Sequence, residues 1–293
     1  MDDAELRPRR SVLYMPGANE RALEKAAGLP ADALILDLED AVAPDAKAEA
    51  RDRVCEAAAS GRYGAREVTI RINGQGTPWH DDDLRAVAAA GPAAVVVPKV
   101  DSAGAVHAIE KGLEATGAPD HTAIWAMVET PVAMLGAREV AESSERLTVL
   151  VMGTNDLAKE LRAEHVPGRA PLLTGLGLAL LAARAAGKVI LDGVYNDIRD
   201  PEGFEAECVQ ARQLGFDGKT LIHPSQLEPC NRVFAPTPEA VEQAGRIIAA
   251  FEEAEAEGRG VVTVDGRMIE NLHVEQARRT LALAAAIETL SVV

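Results

Sequence analysis

Short apolar runs alternate with longer, Ala-rich amphipathic stretches along this chain. The runs are 11–15 (SVLYM), 33–38 (ALILDL), 68–72 (VTIRI), 94–97 (AVVV), 123–128 (AIWAMV), 147–152 (LTVLVM), 189–194 (VILDGV) and 219–222 (KTLI). Nearly continuous apolar strands rich in Val and Ile mark a parallel sheet buried on both faces. Between them the spacing predicts helices over 22–27, 45–59, 81–90, 103–116, 131–143, 175–186 and 201–214. Eight strands, each followed by a helical stretch, is the count of the closed (β/α)₈ TIM barrel, an α/β fold. An open doubly wound sheet is the alternative, but no G-x-G-x-x-G follows the first strand. Gly175-Leu176-Gly177 lies inside an Ala/Leu helix, lacks the third glycine and reads as helix packing.

The chain continues past the eighth run. A further helix is expected over about 238–257, then a glycine break at 258–260. A short Val/Thr segment follows (GVVTVDGRMIEN), and a last helix over about 272–287. Residues 1–257 therefore read as the barrel domain. Residues 258–293 read as a C-terminal lid segment and helix, with a simple packing cap as the equal alternative.

Composition narrows the class. Hydrophobic residues at 47% and charged residues at 26% are the balance of a globular protein. Aromatics are only 3%, so Ala, Val, Leu and Ile must fill the core. The charged start and the absence of any apolar run near bilayer length predict a cytoplasmic protein that contacts no membrane. A net charge of −16 argues against a nucleic-acid surface, though one basic pocket still accommodates an anion. Three widely spaced cysteines predict reduced, incidental thiols, and the histidines lack zinc-site spacing.

Barrel chemistry sits at the C-terminal ends of the strands. Here those ends read Asp37-Leu38-Glu39-Asp40, Arg71-Ile72-Asn73, Pro98-Lys99, Glu129-Thr130, Gly153-Thr154-Asn155-Asp156, Tyr195-Asn196-Asp197 and His223-Pro224. Single polar residues there serve as helix caps, and Asp37, Asp40 and Asp156 each have that reading. Acids crowded around one rim repel one another unless a cation neutralises them. Oxygen ligands without Cys or His suit Mg²⁺. Glu129 is not explained by the following Thr-Pro helix start and reads as a ligand. Arg71 alternates with Ile70 and Ile72, so it must reach the rim and pair with the acids or with an anionic substrate. Lys99 and Lys219 have the same two readings.

Taken in register, RSVLYMPGANERALEKA, ALILDLEDAV, IRIN, VVPKV, ET, MGTNDL, DGVYNDIRD and GFDGKTLIHPSQ resemble the citrate lyase β-subunit-like family of HpcH/HpaI aldolases. Its relatives include malyl-CoA and citramalyl-CoA lyases, and the similarity runs from about Arg10 to Ile287. The resemblance implies Mg²⁺, replaceable by Mn²⁺, bound by Glu129 and Asp156, with Glu39 and Asp40 on metal-bound waters. It implies a small 2-oxo acid held by Arg71 beside Asn155, and an acyl-CoA thioester facing Tyr14 and Lys25. Asn19 stands where malyl-CoA lyases often carry a basic residue, and Arg21 is the nearby substitute. A homo-oligomer, trimeric or hexameric, is also implied. In the family the tail lies over a neighbouring subunit's site and brings an Asp; here the stretch ends in Glu270.

The expected reaction is cleavage of the carbon–carbon bond of a malyl-, citramalyl- or citryl-type 3-hydroxyacyl thioester to a 2-oxo acid and an acyl-CoA. Arg71, Asp40 and Glu270 are the expected catalytic residues, with Glu270 moving a proton at the enolate carbon. Against this, Glu270 and Asn271 also read as the cap of the last helix. The alternatives are thioester hydrolysis on the same scaffold and a non-catalytic subunit that docks a carrier.

Overall fold

The computed structural model describes residues 6–256 and 262–291; the glycine break expected at 258–260 lies outside the described residues. The chain forms two compact units, Arg9–Phe234 and, with Met1–Pro8, Ala235–Val293. The division thus falls ahead of helix Pro238–Ala256, which groups with the tail.

The larger unit is a closed barrel. β1 (Ser11–Pro16), β2 (Ala33–Asp37), β3 (Glu67–Arg71), β4 (Ala94–Val97), β5 (Ala123–Val128), β6 (Leu147–Met152), β7 (Val189–Asp192) and β8 (Gly218–Leu221) pair in chain order, and β8 returns in parallel to β1. The expected TIM barrel is therefore present, and each apolar run is a strand to within two residues at its ends. The helices of this unit are α1 (Glu20–Ala26), α2 (Lys47–Ala59), α3 (His80–Ala90), α4 (Ala103–Ala115), α5 (Pro131–Leu135), α6 (Ala137–Ala141), α7 (Thr154–Leu161), α8 (Leu173–Ala185), α9 (Pro201–Leu214) and α10 (Leu227–Phe234).

Side chains alternate across each strand, so the barrel has two cores. Leu34 and Leu36 of β2 join the layer between sheet and helices, while Ala33 and Ile35 face the axis. The axis is filled by small and branched residues such as Val12, Ala94, Val96, Val149 and Val151 around Trp125. Small inward residues close the tube, which is how so few aromatics suffice.

Three helical details depart from the sequence pattern. The stretch 131–143 breaks into α5 and α6 because Gly136 leaves helical geometry at φ −98° and ψ 11°. α7 and α10 lie outside the helices predicted from the sequence; burial of Leu157, Ala158, Leu227 and Phe234 sustains them. The glycine of α8 behaves as packing predicts: a Cβ on Gly175 would stand 3.1 Å from Leu157 and 3.4 Å from the Met134 sulfur.

The smaller unit holds α11 (Pro238–Ala256), a hairpin of β9 (Val262–Val264) and β10 (Arg267–Ile269), and α12 (Asn271–Ser291). Asp265 and Gly266 turn the hairpin at φ 49° and 76°, the left-handed pair that a two-residue hairpin turn requires. Glu270, rather than Asn271, holds the cap position of α12. Its carbonyl accepts from His273 at 2.9 Å and Val274 at 3.3 Å, and its own N–H donates to His273 Nδ1 at 3.0 Å. Among the described residues no helix is long and apolar enough to cross a membrane.

Candidate active site

The alternation that fills the barrel also aims its chemistry. Two residues beyond the axial Ile35 comes Asp37; two beyond Thr69 comes Arg71; two beyond Met127 comes Glu129; two beyond Val151 comes Gly153. The top axial layer is thus polar where the layers below are apolar. It floors a cavity of about 370 Å³ at the C-terminal face, lined by Tyr14, Asp37, Asp40, Arg71, Met127, Glu129, Gly153, Thr154, Asn155, Asp156, Val194, Thr220 and Ile222 among others. Such a volume suits a small acid.

Arg71 is 7% exposed and sits over the Tyr14 ring, 4.9 Å from its centroid. Asp37 is its direct register partner on β2, which sets their side chains next to each other. Nε donates to Asp37 Oδ1 at 2.6 Å and Nη2 to Oδ2 at 2.7 Å. Nη1 meets Glu39 at 2.8 Å and Asp40 at 3.4 Å. The two-pronged fork is therefore spent on Asp37, and only the Nη1 end faces other anions. Of the two partners that the sequence leaves open for Arg71, the rim acids or an anionic substrate, the fork goes to an acid on the neighbouring strand. Burial on its own disfavours the guanidinium charge, but Asp37 outweighs burial and holds Arg71 firmly protonated. Burial pushes Glu39 up to about 7 despite Arg71, with Asp40 adding to the rise. Burial likewise raises the Tyr14 phenol, against the opposing pull of Arg71.

Glu129 is 3% exposed. Its Oε1 accepts the Lys99 backbone N–H at 2.7 Å, and Lys99 adopts a left-handed φ of 54° there. The Lys99 side chain itself is exposed and outside the cavity lining, so the contribution of this residue is its backbone. The Glu129 carboxylate crosses the place where Gly153 lacks a Cβ; a methyl group there would collide with Glu129 Oε2 and lie 2.5 Å from its Cβ. No other residue type fits. Burial raises Glu129 to about 7, the Lys99 N–H opposes this, and the charge of Asp156 adds to it. Asp156 lies in the first turn of α7, where the helix dipole favours a carboxylate, and lines the same cavity.

Two facing carboxylates, one buried and pushed toward protonation, with the nearby guanidinium already paired, leave a deficit of positive charge. Their oxygens are hard donors, so Mg²⁺ fits. Among the described residues no group of three or more His, Cys, Asp or Glu gathers into a metal cage. A cation on Glu129 and Asp156 would complete its shell with water and ligand oxygens, as Mg²⁺ does at substrate sites.

The structure brings Tyr14, Asp40, Arg71, Glu129, Asn155 and Asp156 onto one cavity; Glu39 stands behind it on Arg71. Asn155 is engaged with Asn196 in reciprocal amide bonds of 3.0 and 2.7 Å. Lys25 lines a neighbouring pocket, and Asn19 is the side-chain cap of α1. Lys219 is not at the rim. It is fully buried on the helix-facing side of β8, bonded to Asp192 at 2.7 Å and Glu207 at 2.6 Å. Glu270 belongs to the smaller unit.

Sequence reading missed the supports. Lys47, 6% exposed, donates to the carbonyls of Leu38 at 2.8 Å and Glu39 at 2.7 Å and rests on the Trp79 ring. Arg51, one turn on, bonds Asp83, which accepts from the Asn73 N–H and side-chain amide at 3.0 and 2.6 Å. α2 thereby braces the ends of β2 and β3. The Lys/Arg pair four residues apart was legible as a shared helix face, but its targets were not.

Fold and site define a barrel enzyme scaffold with an oxygen-rich, cation-accepting cavity, and comparison with known proteins gives it a family. A family model described as HpcH/HpaI aldolase/citrate lyase matches residues 10–224, and one for a C–C bond lyase of the TIM-barrel fold matches residues 176–287. The chain belongs to the HpcH/HpaI aldolase/citrate lyase family. It is 54% identical over 280 residues to a (3S)-malyl-CoA thioesterase of Cereibacter sphaeroides, covering 96% of each chain. It is 38% identical over 289 residues to the citrate lyase β subunit of Escherichia coli, covering 97% of this chain and 96% of that one. A crystal structure of CitE from Mycobacterium tuberculosis in complex with magnesium, acetoacetate and coenzyme A superposes with a TM-score of 0.77 at 29% identity, covering 96% of this chain and 99% of that one.

Proposed function

We propose that this protein is a Mg²⁺-dependent enzyme that hydrolyses a malyl-type CoA thioester to the hydroxy acid and free CoA. The observation that carries the reading is the pairing of Glu129 and Asp156 with buried Arg71 in one cavity at the barrel's C-terminal face. The choice of reaction rests on the relatives. The sequence by itself puts carbon–carbon cleavage first and hydrolysis second; 54% identity to a thioesterase against 38% to a citrate lyase subunit supports the opposite order.

The substrate class follows from the donors. A malyl thioester ends in a hydroxyl and a carboxylate on one carbon, an oxygen pair that suits a cation held by Glu129 and Asp156. Bound Mg²⁺ would supply the positive charge that the two acids lack. Arg71 adds its Nη1 toward the carboxylate, with Asp37 fixing the guanidinium plane. Asp40, on the cavity wall, accepts the proton of the attacking water. Tyr14 and Lys25 face the CoA side in this reading.

The second reading, cleavage to glyoxylate and acetyl-CoA, is favoured by the match to the C–C bond lyase model over residues 176–287. One assay separates the two. Malyl-CoA is incubated with the protein and Mg²⁺, and thiol, malate and glyoxylate are measured together. Equal thiol and malate without glyoxylate is the expected result. Glyoxylate without thiol means cleavage. No product of either kind leaves a binding or carrier-docking subunit and sinks the enzyme reading for this substrate.

A further inference from the structure

A second pocket of about 250 Å³ shares Tyr14, Pro16 and Ile222 with the cavity. Its wall includes Lys25 and His223. Ile222 lines both spaces, and His223, the next residue in the chain, lines the second pocket beside it. If the acyl end of a thioester occupies the cavity and its thiol arm leaves past Tyr14, the thioester group lies at this junction.

The bonding of the ring decides where its proton is. The Ser225 backbone N–H, which can only donate, points at His223 Nδ1 from 3.2 Å, and the Ser225 hydroxyl is 2.8 Å from the same nitrogen. Nδ1 is therefore an acceptor, and the neutral ring carries its hydrogen on Nε2. Nε2 makes no hydrogen bond among the described residues. The ring also caps the 3₁₀ turn Pro224–Gln226, which accounts for Nδ1. Asn, Asp or Ser would cap as well. What they lack is the second nitrogen with its donor.

We propose that His223 is a catalytic residue of this site, its Nε2–H donating to the carbonyl oxygen of the thioester. The proposal rests on the thioester reading above. As water adds to the carbonyl carbon, the C=O π pair moves onto oxygen, where the Nε2–H meets it. The proton lost by the water passes to Asp40. When the electron pair returns, the C–S bond breaks, and the departing thiolate takes that proton. The imidazole donates this hydrogen bond without giving up its proton. The same donor would stabilise the enolate oxygen if the carbon–carbon bond were the one to break.

Two substitutions cross the structural and catalytic roles. His223→Asn places an oxygen where Nδ1 was and keeps the cap but removes the distal donor. His223→Gln places an amide N–H near the Nε2 position and forfeits the cap. With malyl-CoA and saturating Mg²⁺, the Asn variant is expected to keep its Tm and KM while kcat falls about 10²–10³-fold, the usual cost of one oxyanion donor. The Gln variant should retain more kcat than the Asn variant despite a lower Tm. A purely capping His223 gives the reverse order, with Asn at wild-type kcat, and overturns the proposal. A loss confined to KM also overturns it, since that marks a contact to the thiol arm made equally in ground and transition states. Should His223→Asn fail to fold, kcat of His223→Gln decides: a fall of more than 10³-fold refutes the donor role. Wild-type protein that releases neither thiol nor glyoxylate refutes the thioester reading itself, which the variants alone would not.

Discussion

Glu129 and Lys99 show how much a single position does here. Glu129→Gln and Asp156→Asn are each expected to abolish Mg²⁺-dependent turnover while the barrel stays folded; a variant that keeps full activity and Mg²⁺ affinity removes that residue from the metal site. The folded Glu129 titrates near 7, above its ordinary 4.5. The native state therefore holds a proton that the unfolded chain releases between those values, and stability without metal falls as pH rises through that window. Mg²⁺ needs the carboxylate, so below about pH 7 it must displace that proton. The Mg²⁺-induced rise in Tm should be larger at pH 8 than at pH 6; thermal melts showing the opposite order would exclude Glu129 as a ligand. Lys99 makes the complementary point. Its N–H, not its amine, meets Glu129, so Lys99→Ala should change kcat by less than about twofold and leave KM alone.

At the scale of elements, α2 is the support that matters. Its Lys47 satisfies two carbonyls of the loop that carries Glu39 and Asp40, and its Arg51 reaches the end of β3 through Asp83. Lys47→Met keeps the length and apolar stem but leaves two buried carbonyls without their donor. The expected loss is about 1–3 kcal/mol, or roughly 3–8 °C in Tm. Turnover should fall as well, because the loop facing Arg71 loses its anchor. Unchanged melting and kinetics together would show that water replaces the amine and that α2 is not a brace.

At the scale of the whole molecule, the chain carries an acid, Glu270, on a unit separate from the barrel that holds Arg71. The family resemblance implies that this acid serves another subunit's cavity. Glu270→Gln and Arg71→Lys proteins should each be nearly inactive, and mixtures with verified subunit exchange should recover part of the activity. Among the described residues the cap bonds of Glu270 run through its own N–H and carbonyl, so the Gln variant should melt like wild type. No recovery on exchange would confine Glu270 to its own chain or to the cap.

Nearly continuous apolar runs marked the strands of the barrel in the sequence, because a strand covered on both faces has almost no polar position to spare, and alternation along each strand set which residues face the axis. The same alternation carried Arg71 and Glu129 to the axis, since a residue two places beyond an inward one must also point inward. What the pattern left open was pairing. That Asp37 takes the guanidinium fork follows from the β2–β3 register, a relation between positions 34 residues apart that no local spacing encodes. Nothing local marks Gly153, and only the closed barrel lays the Glu129 carboxylate across it. Lys219 looked like a rim cation until the strand's parity turned it toward Asp192 and Glu207. Sequence by itself determined which groups reach the top of the barrel. Tertiary structure decided which of them neutralise one another and which remain free for a ligand, because charge pairing depends on distances that only the closed sheet sets.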